Sequence, residues 1–230
     1  MESISGVINL NKPAGMSSAR AVAHVKRMLP RGTKIGHAGT LDPFATGVLL
    51  LLVGRATRMC ERLMDQPKQY EATVKLGAAT ETDDPESPEK ANPAAHSIDR
   101  IQVEQVLPRF VGRFLQRPPA FSALKVKGRR AYDLARKGEK VVLESRSVQV
   151  YSIELLQYEW PMLDLRVDCG RGTYIRALGR DIGEALGVGG FLLRLVRTRL
   201  GDFSLNHAVT LEELYVHTLE RHLTEFPQAN

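Results

Sequence analysis

Apolar positions fall into short runs with changing period. Gly6 to Leu10 is apolar and stops at Asn11-Lys12-Pro13-Ala14-Gly15, which predicts a strand entering a turn. Ser17 or Ser18 then caps a helix to about Met28, with Val22, Val25 and Met28 along one face. Leu49 to Val53 is unbroken apolar sequence between Gly47 and Gly54, as in a buried strand, and a helix is expected around Ala56 to Met64. Lys68 to Leu76 alternates as a strand. Thr80 to Ala95, rich in acid, Pro and Ala, reads as a loop with room to move. Ser97 caps a helix to about Phe110, and the strands Ser147 to Leu156 and Met162 to Cys169 straddle a turn at Trp160-Pro161. A helix from Thr173 to Leu186 breaks at Gly187 to Gly190, ahead of the mixed apolar and basic run Phe191 to Leu200. Thr210 opens a last helix. This irregular alternation of strands and helices, with no repeat or linker, predicts an α+β domain around a mixed sheet.

The 230 residues can bury a substantial core, and 43% hydrophobic with 25% charged residues is the balance of a soluble globular protein. The net charge of +6 is modest, but it is unevenly placed. Glu81 to Glu89 holds five acids and no base, whereas Arg109 to Lys137 holds nine bases and one acid. A basic face of that kind suits phosphate, although a solvated surface would leave the same trace. Cys60 and Cys169 lack the spacing of a zinc or redox pair, and the six histidines are scattered. Met1 to Leu10 is no signal peptide and no apolar run reaches membrane-spanning length, so a cytoplasmic protein without membrane contact is expected.

The densest chemical signal is Gly36-His37-Ala38-Gly39-Thr40-Leu41-Asp42-Pro43-Phe44-Ala45-Thr46-Gly47. It is poor helix and poor strand. Gly39 and Gly47 allow positive φ or close approach, and Pro43 keeps Asp42 out of the α region, so a loop presenting Asp42 is the physical reading. A structural turn in which Asp42 bonds its own backbone would read the same way.

This loop resembles the signature of the TruB family of tRNA pseudouridine-55 synthases, with their archaeal and eukaryotic dyskerin relatives. Four more blocks agree in order. Asn11 to Ser18 resembles the family's amino-terminal Lys-Pro-x-Gly motif, and Lys68-Gln69-Tyr70-Glu71-Ala72 its tyrosine-bearing strand. Arg117 to Arg136 resembles a long family block, and Gly172-Thr173-Tyr174-Ile175-Arg176 the motif before a late helix. Together they span roughly residues 6 to 205.

The resemblance implies a pseudouridine synthase fold: one mixed, largely antiparallel sheet with flanking helices and a central RNA-binding cleft. It implies isomerisation of uridine 55 in the tRNA T-loop by a stand-alone enzyme with no cofactor and no metal. Asp42, Tyr70 and Arg176 are the implied catalytic residues. Beside an electron-poor ribose carbon, Asp42 could serve as nucleophile, ion-pair stabiliser or base, and the charge of Arg176 would keep it ionised. Tyr70 would stack on the uracil and relay the C5 proton. His37, Tyr174 and Lys12 are implied substrate-binding residues: His37 fills space beside the flipped base, Tyr174 lies near the base, and Lys12 either contacts RNA or supports the loop. Phe121 and Tyr132, interleaved with the bases of Arg113 to Arg136, suit stacking and phosphate contact.

Ala38 stands where the family often has Thr or Ser. Ser204 to Asn230 is too short for the PUA domain many relatives carry, so the expectation is a single catalytic domain over 1–230 that acts as a monomer. The alternatives are a guide-RNA-dependent, dyskerin-like subunit and a non-catalytic tRNA-binding or tRNA-folding protein; retention of Asp42, Tyr70 and Arg176 argues against the second.

Overall fold

The computed structural model describes residues 4–122, 125–126, 129–130, 143–216 and 219–224. Tyr132 and the bases of 131–142 fall outside them. In chain order the described strands are β1 (Gly6–Lys12), β2 (Ile35–Ala38), β3 (Thr46–Val53), β4 (Lys68–Leu76), β5 (Ala78–Ala79), β6 (Lys90–Ala91), β7 (Gly112–Gln116), β8 (Lys125–Val126), β9 (Arg129–Arg130), β10 (Arg146–Glu159), β11 (Met162–Cys169), β12 (Gly190–Leu200) and β13 (Phe203–Ser204). They divide between two compact units: residues 1–70 with 195–230, and residues 71–194. β4 and β12 each have residues in both.

In the first unit β3 is central. β1 and β2 both pair with it antiparallel, and β12 pairs parallel with it through Val196↔Thr46 and Arg197↔Gly47. Val48, Leu50 and Leu52 enter a cluster with Val7, Ala38, Leu63 and Leu200. Leu49, Leu51 and Val53, on the opposite face, are just as buried. A strand covered on both sides has no polar face to show, which explains its unbroken apolar sequence. The helix Ser18–Lys26 is capped by Ser17, whose side chain accepts from the Arg20 N–H. Where one helix is expected at Ala56 to Met64, a 3₁₀ turn, Gly54–Met59, precedes a short α-helix, Cys60–Met64. The last helix, Leu211–Val216, is capped at Thr210 by reciprocal bonds with Glu213.

In the second unit the strand order is β4, β11, β10, β7, and β10 pairs antiparallel with both β11 and β7. β4 alternates strictly, burying Ala72, Val74 and Leu76. The helix Arg100–Val106 begins two residues later than expected, because Asp99 and Gln102 form a full capping box; Pro108 then tightens it into a 3₁₀ turn. Together the units give the expected α+β class with mixed, largely antiparallel strand pairing and flanking helices.

Candidate active site

Four of the six sequence-nominated residues, Lys12, His37, Asp42 and Tyr70, lie in the first unit. Asp42 is half-buried in the loop between β2 and β3, and both its neighbours are pinned. Ser18, 2% exposed, accepts from the Leu41 N–H at 2.8 Å and donates to the Leu41 carbonyl at 2.9 Å. The Pro43 carbonyl accepts from the Gly15 N–H at 2.8 Å and from Lys12 Nζ at 3.3 Å. Lys12 is fully buried, with Nζ also donating to the carbonyls of Pro13 and Met16 at 2.8 and 2.7 Å. These three carbonyls belong to the turn after β1 and to the Asp42 loop, so Lys12 joins the two.

Both glycines that bound this loop have positive φ, +88° at Gly39 and +99° at Gly47. A Cβ on Gly47 would stand 2.3 Å from the Arg197 carbonyl oxygen, so the parallel pairing of β3 with β12 requires glycine there. Arg197 is 1% exposed; its Nε donates to the Val48 carbonyl at 2.6 Å and Nη2 to the Gly39 carbonyl at 3.1 Å. His37 ends the approach to the loop on β2. Burial lowers its pKa from the ordinary 6.5, and the Arg197 charge lowers it further, so the ring is kept neutral. Tyr70 sits on the buried face of β4 at 7% exposed.

Tyr174 and Arg176 lie in the second unit, at the start of the helix Ile175–Ala185. Gln116, at the end of β7, holds the Tyr174 backbone from both sides: its Oε1 accepts from the Tyr174 N–H at 2.9 Å and its Nε2 donates to the Tyr174 carbonyl at 3.2 Å. Arg176 is 5% exposed. Its Nη1 donates to Asp84 Oδ2 at 2.8 Å and to the Thr82 carbonyl at 2.9 Å, and its Nη2 to the Phe121 carbonyl at 2.9 Å. One turn on, Arg180 pairs with Asp83 and Asp181, each at 2.7 Å. Asp83 adopts φ +59°, and burial pushes its carboxyl up despite the opposing charges of Arg180 and Arg176.

The acidic stretch after Thr80 is thus no loose solvated loop. Thr80, Thr82 and Asp84 are buried, and the Asp83 carbonyl accepts from the Leu192 N–H at 3.1 Å. Sequence singles out none of Arg197, Gln116 and Asp84, and it offers Ser18 as a helix cap, not as a partner of Leu41. The signals that the sequence does carry are the place of Asp84 among acids with no base nearby and the place of Arg197 in a mixed apolar and basic run.

Comparison with known proteins gives the class, that of the pseudouridine synthases. The family model described as "TruB family pseudouridylate synthase (N terminal domain)" matches residues 26–175, and "tRNA pseudouridylate synthase B C-terminal domain" matches residues 176–225. This chain belongs to the TruB family of pseudouridylate synthases. It is 47% identical over 208 residues to the tRNA pseudouridine synthase B of Bacteroides fragilis, covering 88% of this chain and 89% of that protein. It is 46% identical over 220 residues to the enzyme of the same name from Parabacteroides distasonis, covering 93% and 94%. Among solved structures it resembles a chain of a Cbf5-Nop10-Gar1 complex, with 35% identity, a TM-score of 0.71 and 91% of this chain covered. It also resembles a chain of an H/ACA RNP bound to a substrate RNA containing 2'-deoxyuridine, with 31% identity, a TM-score of 0.69 and 96% covered. The match spans 53% and 56% of those two chains.

Proposed function

We propose that this chain is a tRNA pseudouridine synthase that isomerises uridine 55 of the T-loop, with Asp42 as the group that acts on the ribose. The carrying observation is the double pinning of the Leu41 and Pro43 backbone, which holds in place the chain on both sides of the half-buried Asp42. Preorganisation of this kind is what an isomerisation without external reagents needs, since positioning and charge must supply the whole acceleration.

The reaction breaks the N1–C1′ bond, turns the uracil, and joins C5 to C1′; the C5 proton moves to N1, so atoms and electrons balance. Asp42 supports the electron-poor C1′. Arg176, oriented by Asp84 and two carbonyls, is a rigid, permanently charged donor suited to an anionic partner. Tyr70 offers a ring for the turning base and a hydroxyl for its proton, Tyr174 contacts the base edge, and neutral His37 replaces the stacking that the flipped nucleotide gives up. Substrate recognition centres on the T-arm.

Identities of 46–47% to enzymes named tRNA pseudouridine synthase B, against 31–35% to chains of an H/ACA RNP and of a Cbf5-Nop10-Gar1 complex, favour action on tRNA without a guide. The test is to incubate purified protein with an unmodified tRNA transcript and no other RNA, then map pseudouridine. Modification at position 55, absent from a transcript with cytidine there, is expected. A product that forms only on addition of a guide RNA contradicts the proposal.

A further inference from the structure

Arg197 is a buried cation with an unusual set of partners. Its guanidinium bonds two backbone carbonyls, and no carboxylate lies within ion-pair distance of it among the described residues. Leaving a charge inside the protein without a counter-ion costs several kcal/mol, so its retention calls for a compensating task.

The positions of the two carbonyls identify that task. Gly39 is the first residue after β2 and Val48 lies two residues into β3, so a single planar group ties the entry of the Asp42 loop to its exit. The Arg197 backbone fixes the same loop a second time, through its parallel register with Gly47. Gly39 adds a third condition. Its φ of +88° is one that side chains rarely adopt, so the carbonyl that accepts from Nη2 is presented by a backbone that favours glycine.

We propose that Arg197 is a positioning residue for catalysis: by bridging Gly39 and Val48 it sets the reach of the loop, and so the placement of the Asp42 carboxylate, without touching the substrate. This rests on the reading of Asp42 given above. Lysine cannot take over the task. A single ammonium on a flexible stem reaches one carbonyl in place of two in a fixed fork. The same charge also depresses His37, so one group serves both functional side chains of the loop.

The test compares Arg197→Lys and Arg197→Met with wild type in three measurements: single-turnover rate on a tRNA transcript, Kd for that RNA, and amide hydrogen exchange resolved over residues 39–47 and over β1. A misplacement of the order of an ångström lowers turnover by about 10²-fold. Arg197→Lys should therefore lose about that factor in rate, hold Kd within about threefold, and speed exchange in 39–47 while β1 stays protected. Rate or loop exchange changing without the other overturns the proposal. So does faster exchange throughout β1, or failure of both variants to fold, since either makes Arg197 a scaffold residue. If wild type itself leaves tRNA unmodified, the functional reading fails while the exchange data still judge the clamp.

Discussion

Ser18 holds both backbone groups of Leu41, accepting from its N–H and donating to its carbonyl, and this ties the helix Ser18–Lys26 to the residue before Asp42. A hydroxyl is the smallest group that can do both. Ser18→Ala leaves a buried N–H and carbonyl unsatisfied, at a cost of about 1–3 kcal/mol in urea unfolding, together with a fall in kcat. Ser18→Thr, which keeps the hydroxyl, should lie nearer wild type in kcat. Equal losses in both variants would show that Ser18 serves packing alone.

Gly47→Ala places a methyl 2.3 Å from the Arg197 carbonyl oxygen at φ +99°. β3 and β12 must then part at their parallel contact. The expected loss is about 3 kcal/mol or more, measured as a drop in Tm with loss of activity. A variant as stable as wild type would show that these strands separate without cost.

Much of the fold is legible in the sequence. The period-two pattern of Lys68–Leu76 and the apolar run of Leu49–Val53 report burial on one face and on two, and burial is what periodicity records. Side-chain tasks are less visible. Ser17 and Ser18 are interchangeable as caps on paper; only the folded loop shows that Ser17 caps and Ser18 holds Leu41. Asp84 pairs with an arginine 92 positions away, so its stretch reads as solvated acid until the pairing is seen. The Asp42 loop was legible because glycine and proline limit backbone geometry locally, whereas Arg197, which braces it, comes from a distant strand.

Removing Asp84 takes from the buried Arg176 the carboxylate that its Nη1 meets at 2.8 Å. Asp84→Ala should destabilise by about 3–5 kcal/mol in urea unfolding. Asp84→Leu with Arg176→Met should recover much of that stability while remaining inactive, because both charges then leave the interior together. If the double variant is the less stable, the pair is a net source of stability.

The neutral state of His37 implies a pH dependence of definite sign. Its folded pKa lies below the ordinary 6.5, so as pH falls through that value the unfolded chain takes a proton that the folded chain refuses. Stability due to this group is therefore complete above 6.5 and declines as pH drops toward the folded pKa. Tm measured from pH 7.5 to 5 should fall more steeply for wild type than for His37→Gln. Parallel curves would mean that His37 is not held neutral.

The most direct test of the account is Asp42→Asn. Amide and carboxylate are nearly the same shape, and the Ser18, Lys12 and Gly15 bonds all go to neighbouring backbone, so the loop should be unchanged. Conversion of uridine 55 in a tRNA transcript, followed in single turnover beside RNA binding, separates chemistry from recognition. A Kd within about threefold of wild type and a rate lowered by about 10³-fold or more are expected. A variant that keeps more than about a hundredth of the wild-type rate would contradict the assignment of Asp42 as the catalytic carboxylate.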